Sequence, residues 1–123
     1  MKLRLLIVDD NTHFLAAARD LLEREGLDVV AVASTGAEAV RLSRLLRPDV
    51  TLVDVDLGQE SGFDLARQLT DGTGGPVVII STYAAQDLAD LLDASPAIGY
   101  LSKFDLSGRA ISALLEGGGD RRR

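Results

Sequence analysis

Five short apolar runs, separated by stretches of helical periodicity, constrain this 123-residue chain more than any other feature. They are residues 3–8 (LRLLIV), Asp28–Ala33, Val50–Asp54, Val77–Ser81 and 98–101. The apolar residues follow one another instead of alternating with polar ones, so both faces of each strand must be covered. Strands of that kind, spaced by helices, belong to a parallel sheet with helices on both sides. Right-handed crossovers then give a doubly wound (βα)5 domain of the α/β class, a three-layer sandwich.

The intervening segments carry their own punctuation. Residues 12–25 place Phe14, Ala18, Leu21 and Leu22 on one face and stop at Gly26, a C′ glycine. Thr35 and Glu38 form a T-x-x-E capping box that opens a second helix, ended before Arg47-Pro48. A third helix follows Gly62, with Phe63, Ala66 and Leu69 facing inward, and ends in the loop 71–75 (DGTGG). Those glycines lack the spacing of a phosphate-cradling loop and make a flexible turn. Leu88, Leu91 and Leu92 mark a fourth helix, closed by Ser95-Pro96. Asp105 is expected to cap a fifth, with Ile111, Leu114 and Leu115 buried. The stretch 117–123 (GGGDRRR) has no apolar residue and is expected to be a flexible tail or the start of a linker, leaving residues 1–116 as one domain.

Composition excludes several functions. With no cysteine, neither a disulfide framework nor a thiolate zinc site is available to the chain. No run approaches the roughly 18 apolar residues of a membrane span, and the start (MKLRLLIVDD) lacks the pattern of an export signal. The expected location is therefore the cytoplasm, with no membrane partner. A net charge of −6, with one basic cluster at Arg121–Arg123, argues against nucleic-acid binding by this domain itself.

The strand ends carry the chemistry. The first run ends in Asp9-Asp10, the third in Asp54, the fourth in Ser81 and the fifth leads into Lys103. In an open parallel sheet, ligands bind beyond the carboxyl ends of the strands where strand order reverses. Adjacent carboxylates repel and raise one another's pKa unless a cation sits between them. Mg²⁺ suits that place, since it is held by one or two carboxylates while keeping several waters. An aspartate at Asp54 is also a nucleophile able to accept a phosphoryl group as an acyl phosphate. Lys103 supplies a fixed positive charge for phosphoryl oxygens, and Ser81 a hydroxyl that can hydrogen-bond one of them. Taken singly, each has a plainer reading: Asp10 or Asn11 caps the next helix, and Asp54 starts a turn. Their joint occurrence at consecutive strand ends favours the phosphoryl reading. His13, the only histidine, sits in the turn after Asp10 and is read as a solvated or packing residue.

Over residues 3–116 the chain resembles the receiver domain of bacterial two-component response regulators, on LLIVDDN, VTLVDVDLGQESGFDL, VVIIST and GYLSK. The resemblance implies a flavodoxin-like parallel five-stranded sheet of order 2-1-3-4-5. It implies that Asp54 is the phosphoacceptor, Asp10 a direct Mg²⁺ ligand, Asp9 a ligand largely through water, and the Asp56 backbone carbonyl a further ligand. Ser81 becomes the switch hydroxyl, Lys103 the phosphate-binding lysine, and Tyr100 the aromatic whose rotamer reports the state of Ser81. The implied partner is a sensor histidine kinase or phosphotransfer protein, with a homodimer through the fourth helix, fifth strand and fifth helix. Such a domain is a regulator whose only catalysis is its own phosphorylation and dephosphorylation. Two forms of output are open: that of a stand-alone receiver, or that of the N-terminal piece of a longer regulator with an effector domain of the transcription-factor kind, which GYLSKFDLSG resembles.

Four positions depart from the family pattern. Phe104 follows Lys103 where a cis proline is usual; a cis bond to a non-proline costs ~3–4 kcal/mol, so a trans peptide and a shifted loop are expected. Gly58 replaces a frequent proline and is expected to loosen the loop after Asp54. Thr82 is bulkier than the usual alanine or glycine, and Asp56 brings a fourth carboxylate near the metal. None of these removes a required group. Two other readings compete: a pseudo-receiver that works as a binding module without phosphorylation, and a haloacid-dehalogenase-like phosphatase suggested by Asp54-Val55-Asp56. The second is disfavoured because that motif normally follows the first strand, not the third.

Overall fold

A computed structural model describes residues 2–73 and 75–120 of the chain. Strands β1 (Arg4–Val8), β2 (Asp28–Ala33), β3 (Val50–Asp54), β4 (Val77–Ser81) and β5 (Gly99–Ser102) form one sheet in the order β2-β1-β3-β4-β5. Every neighbouring pair is parallel. Five helices connect and cover them: α1 (Thr12–Arg24), α2 (Gly36–Leu46), α3 (Gly62–Thr73), α4 (Ala89–Asp93) and α5 (Gly108–Asp120). Class, strand order and double winding are as the sequence implies.

Strand alternation divides the core in two. Leu5, Ile7, Leu52, Val78 and Ile80 face Leu15, Ala18 and Leu22 of α1 and Ile111 of α5. Leu6, Val8, Val53, Val77 and Ile79 face Ala39 of α2 and Leu65, Ala66 and Leu69 of α3. Each fully buried Leu or Ile contributes about 1.5–3 kcal/mol, so β1, β3 and β4 are the rigid centre of the molecule. The strand order reverses between β1 and β3, which brings the carboxyl ends of those strands side by side.

Local chemistry sets the helix starts. Asn11 caps α1, its Oδ1 accepting from the N–H groups of His13 and Phe14 at 3.0 and 3.1 Å. Thr35 Oγ1 accepts from Glu38 N, which is the forward half of the expected capping box; the return bond differs, because Glu38 Oε1 accepts from Ser34 N, one residue before the N-cap. Ser107, and not Asp105, caps α5 by accepting from Ala110 N; Asp105 lies in a 3₁₀ turn, Lys103–Asp105.

Several boundaries differ from the sequence expectation. The inward stripe of α1 is Leu15, Ala18 and Leu22; Phe14 is half-buried and Leu21 exposed. On α3, Leu65 joins Ala66 and Leu69 in the core, with Phe63 packed at the edge. Asp71 and Gly72, expected in a loop, continue α3. The fourth helical segment begins as a 3₁₀ turn, Ala85–Leu88, and gives only five α-helical residues. Its Leu88 and Leu92 pack on the sheet, whereas Leu91 is 53% exposed. Gly117 to Asp120 continue α5, so the expected tail is helical that far; Arg121–Arg123 lie outside the described residues. Among the described residues no helix is long and apolar enough to cross a membrane.

Candidate functional site

Asp9 extends β1 by one residue: its N–H donates to the Ala33 carbonyl at 3.0 Å, and its side chain is fully buried. Asp9 Oδ1 accepts from Asn11 N at 2.9 Å, so the residue that caps α1 also fixes the carboxylate. Asp9 Oδ2 receives no well-aligned hydrogen bond; its partner is the charge of Lys103 Nζ, 2.6 Å away. Asp54 closes β3, level with Ile80 of β4, and is also buried. Its Oδ1 lies 3.6 Å from the same ammonium. Asp10 is exposed at the mouth. One carboxylate oxygen from each of Asp9, Asp10 and Asp54 can be chosen so that all three lie within 4.8 Å of one another.

Three carboxylates against one ammonium leave the cluster two negative charges in excess. Burial pushes the Asp54 carboxyl up from its ordinary value of 3.8 to about 6, and the charges of Asp9 and Asp56 push the same way against the pull of Lys103. A divalent cation would neutralise the excess. The donor set consists of hard carboxylate oxygens, and Asp9 Oδ2 lacks an aligned hydrogen bond, so the residues fit Mg²⁺. Asp56 is exposed on a short hairpin in which Asp56 pairs with Ser61 and Leu57 with Glu60.

Two glycines shape this end of the sheet. A Cβ on Gly62 would lie 1.9 Å from the Asp54 carbonyl oxygen, so only glycine lets α3 start this close to β3. Gly58 turns the hairpin with φ of 67°, a conformation proline cannot adopt. The loop thus makes a left-handed turn here, and a Cβ added at Gly58 would lie 3.6 Å from Asp10 Oδ2.

Ser81 is buried one residue beyond the level of Asp54 on β4, and its Oγ accepts from Tyr83 N at 2.9 Å. Among the described residues, no hydrogen bond joins it to the carboxylates. Tyr100 is half-buried; its hydroxyl donates to the Tyr83 carbonyl, with the Ser81 carbonyl 3.4 Å away. Burial and Asp105 push its phenol pKa up. The peptide after Lys103 is trans, as expected, and Phe104 is 82% exposed. Thr82 and His13 are exposed.

The structure therefore gathers Asp9, Asp10, Asp54 and Lys103, sets Ser81 and Tyr100 together beside them, and leaves the Asp56 side chain outside. Sequence reading missed two supports. Phe14 lies beneath Lys103, whose Nζ is 4.4 Å from the ring centroid, a cation–π contact that confines the lysine between Asp9 and α1. Its signal was an aromatic one turn after Asp10, read as core. Glu60 accepts from Gly36 N at 2.8 Å and so ties the loop after Asp54 to the start of α2; an exposed glutamate in a loop gives no sequence signal of that kind.

Comparison with known proteins agrees with this arrangement. The family model for the response regulator receiver domain matches residues 5–112. The transcriptional regulatory protein PdtaR of Mycobacterium tuberculosis is 30% identical over 105 residues, covering 85% of this chain and 51% of that protein. The chain thus spans about half the length of that curated relative. Among solved structures, a LuxR-family two-component response regulator from Aurantimonas sp. SI85-9A1 superposes with a TM-score of 0.84 at 28% identity, covering 95% of this chain and 87% of that one. A response regulator from Burkholderia pseudomallei, solved with a phosphorylated aspartic acid, a calcium ion and citrate, gives 0.81 at 27% identity, covering 99% and 71%. The chain belongs to the response regulator receiver domain family, the receiving module of two-component signalling.

Proposed function

We propose that this domain is a phosphoacceptor switch in which Asp54 takes a phosphoryl group from the phosphohistidine of a sensor kinase or phosphotransfer protein. The observation that carries the reading is the placement of buried Asp54 beside Lys103 Nζ, 3.6 Å away, opposite the Asp9-Asp10 pair. A related response regulator with a phosphorylated aspartic acid supports it. The Asp54 carboxylate attacks phosphorus in line; the new O–P bond forms as the N–P bond of the donor breaks, and the electron pair stays on the donor imidazole. Lys103, confined by Asp9 and Phe14, stands ready to pair with an equatorial phosphoryl oxygen. Ser81 donates its hydroxyl proton to another, its Oγ being held only as an acceptor from Tyr83 N. Asp9, Asp10, Asp54 and the Asp56 carbonyl would hold Mg²⁺, which when bound supplies positive charge to offset the carboxylates and the phosphoryl oxygens.

Turning Ser81 toward the phosphoryl group breaks its bond to Tyr83 N, and Tyr100, held on the same segment, follows. The surface of α4, β5 and α5 then changes, offering a basis for dimerisation and for control of an effector domain. The domain acts as a regulator rather than a turnover enzyme. Exposure of Asp56 on its hairpin gives no support to the phosphatase reading. The test is labelling with acetyl phosphate and Mg²⁺: intact mass should rise by one phosphoryl group, and Asp54→Asn should abolish the rise. Labelling that survives the substitution overturns the assignment; absence of labelling in the unaltered chain favours a pseudo-receiver.

A further inference from the structure

We infer that a second, cationic cavity, at the opposite edge of the sheet from Asp54, binds the phosphate of a small organic phosphomonoester. The cavity, about 370 Å³, lies where the last turn of α2 meets the start of β3 and the last turn of α3. Arg44 and Arg47 line it, the hydroxyl residues Ser43 and Thr51 are buried in its wall, and Pro48 and Leu69 supply apolar surface. A volume of that order suits a small ligand, and convergent polar groups over an apolar floor are the usual make-up of such a site.

Charge favours an anion. No acidic residue lines the cavity, and neither guanidinium takes part in an ion pair among the described residues. The nearest acids in sequence are Asp49, whose Oδ2 accepts from Arg4 N at 2.9 Å, and exposed Asp71 on α3. Two planar guanidinium forks match the oxygens of a phosphate better than a single carboxylate does. The carbonyls at the end of α2 oppose an anion, and the arginines offset part of that field.

The backbone adds an independent sign. Arg47 is the one non-glycine with positive φ among the described residues, at 48°. The cap of α2 calls for glycine or asparagine in that left-handed conformation, yet the chain keeps an arginine there. The backbone role of the position survives any side chain: Arg47 N donates to the Ser43 carbonyl, and the Arg47 carbonyl accepts from Arg4 Nη1 at 2.9 Å. An arginine at this left-handed cap costs backbone strain that glycine would avoid, and its exposed side chain lines the cavity, as the proposal requires.

That separation gives a test in which folding and binding move in opposite directions. The full chain, in EDTA and at constant ionic strength, is titrated with inorganic phosphate, glucose 6-phosphate and acetate while amide shifts are followed by NMR. Saturable shifts are expected at Ser43, Thr51 and Gly72, with glucose 6-phosphate tighter than phosphate and phosphate tighter than acetate. Arg47→Gly should leave the melting temperature unchanged or raise it by a few degrees, because glycine suits the cap. The same variant, and Arg44→Ala, should each weaken binding about tenfold or more. Shifts confined to Asp9, Asp54 and Lys103, linear shifts without saturation, equal binding of all three probes, or unchanged affinity in both variants would overturn the proposal.

Discussion

Asp54 must be ionised to act as the proposed nucleophile, and yet its surroundings resist ionisation. Its carboxyl titrates near 6 in the folded chain against 3.8 ordinarily. Between those values the native state binds more protons than the unfolded state, so its contribution to stability falls as pH rises. It is full below about 4 and lost once pH passes about 6, a change of up to about 3 kcal/mol. In EDTA, denaturant unfolding should therefore show Asp54→Asn gaining stability over the unaltered chain as pH rises from 4 to 7. A difference independent of pH would mean that the carboxyl is not perturbed. Mg²⁺ should narrow the gap, because binding to the native state stabilises it by mass action and competes with the proton.

The elements explain which parts of this arrangement the sequence discloses. The strands were legible because burial on both faces leaves an unbroken apolar run, and their terminal residues then follow from parallel pairing alone. Asp9, Asp54 and Lys103 share a sheet face by parity with Ile7, Leu52 and Leu101, all packed on the α1 and α5 side. Helix faces were less legible: in α1 a shift of one residue exchanges Phe14 and Leu21 for Leu15, and both phases contain enough apolar residues to read as amphipathic. Capping went the same way, since Asp105 and Ser107 are both good caps and only tertiary contact chooses; here Glu25 accepts from Gly108 N at 2.6 Å and fixes the start of α5. Gly62 marks the join of element and site. Substituting Gly62→Ala places a methyl group inside the Asp54 carbonyl, so α3 must retreat; thermal unfolding should show a loss of about 2–3 kcal/mol. Acetyl phosphate labelling should fall with it, because the same peptide carries Asp54, the proposed nucleophile. An alanine variant with unaltered stability and labelling would show that α3 and β3 tolerate separation.

At the scale of the molecule, burial is uneven across the sheet. β1, β3 and β4 are sealed on both faces, whereas every residue of β5 is only half-buried and α4 keeps five α-helical residues without a side-chain cap. Segments with few buried contacts open at low free energy, and switching elements are drawn from them. In the proposed switch the link to the site runs through Tyr83, whose N–H is held by Ser81 and whose carbonyl is held by the Tyr100 hydroxyl. Two states a few kcal/mol apart suffice, provided that the phosphoryl group prefers one of them. Beryllofluoride with Mg²⁺, which mimics the acyl phosphate, should therefore alter amide exchange across residues 84–116 while the central strands stay protected. Exposed Leu91 and Phe104 lie within that span, so the same sample should be examined for dimer formation by sedimentation. Ser81→Ala should uncouple the two regions, keeping the exchange change near Asp54 and losing it beyond Tyr83. If the unaltered domain shows protection only around Asp54, the α4–β5–α5 surface is not its output, and the loop tied by Glu60 to Gly36 becomes the next place where a phosphoryl group can be felt.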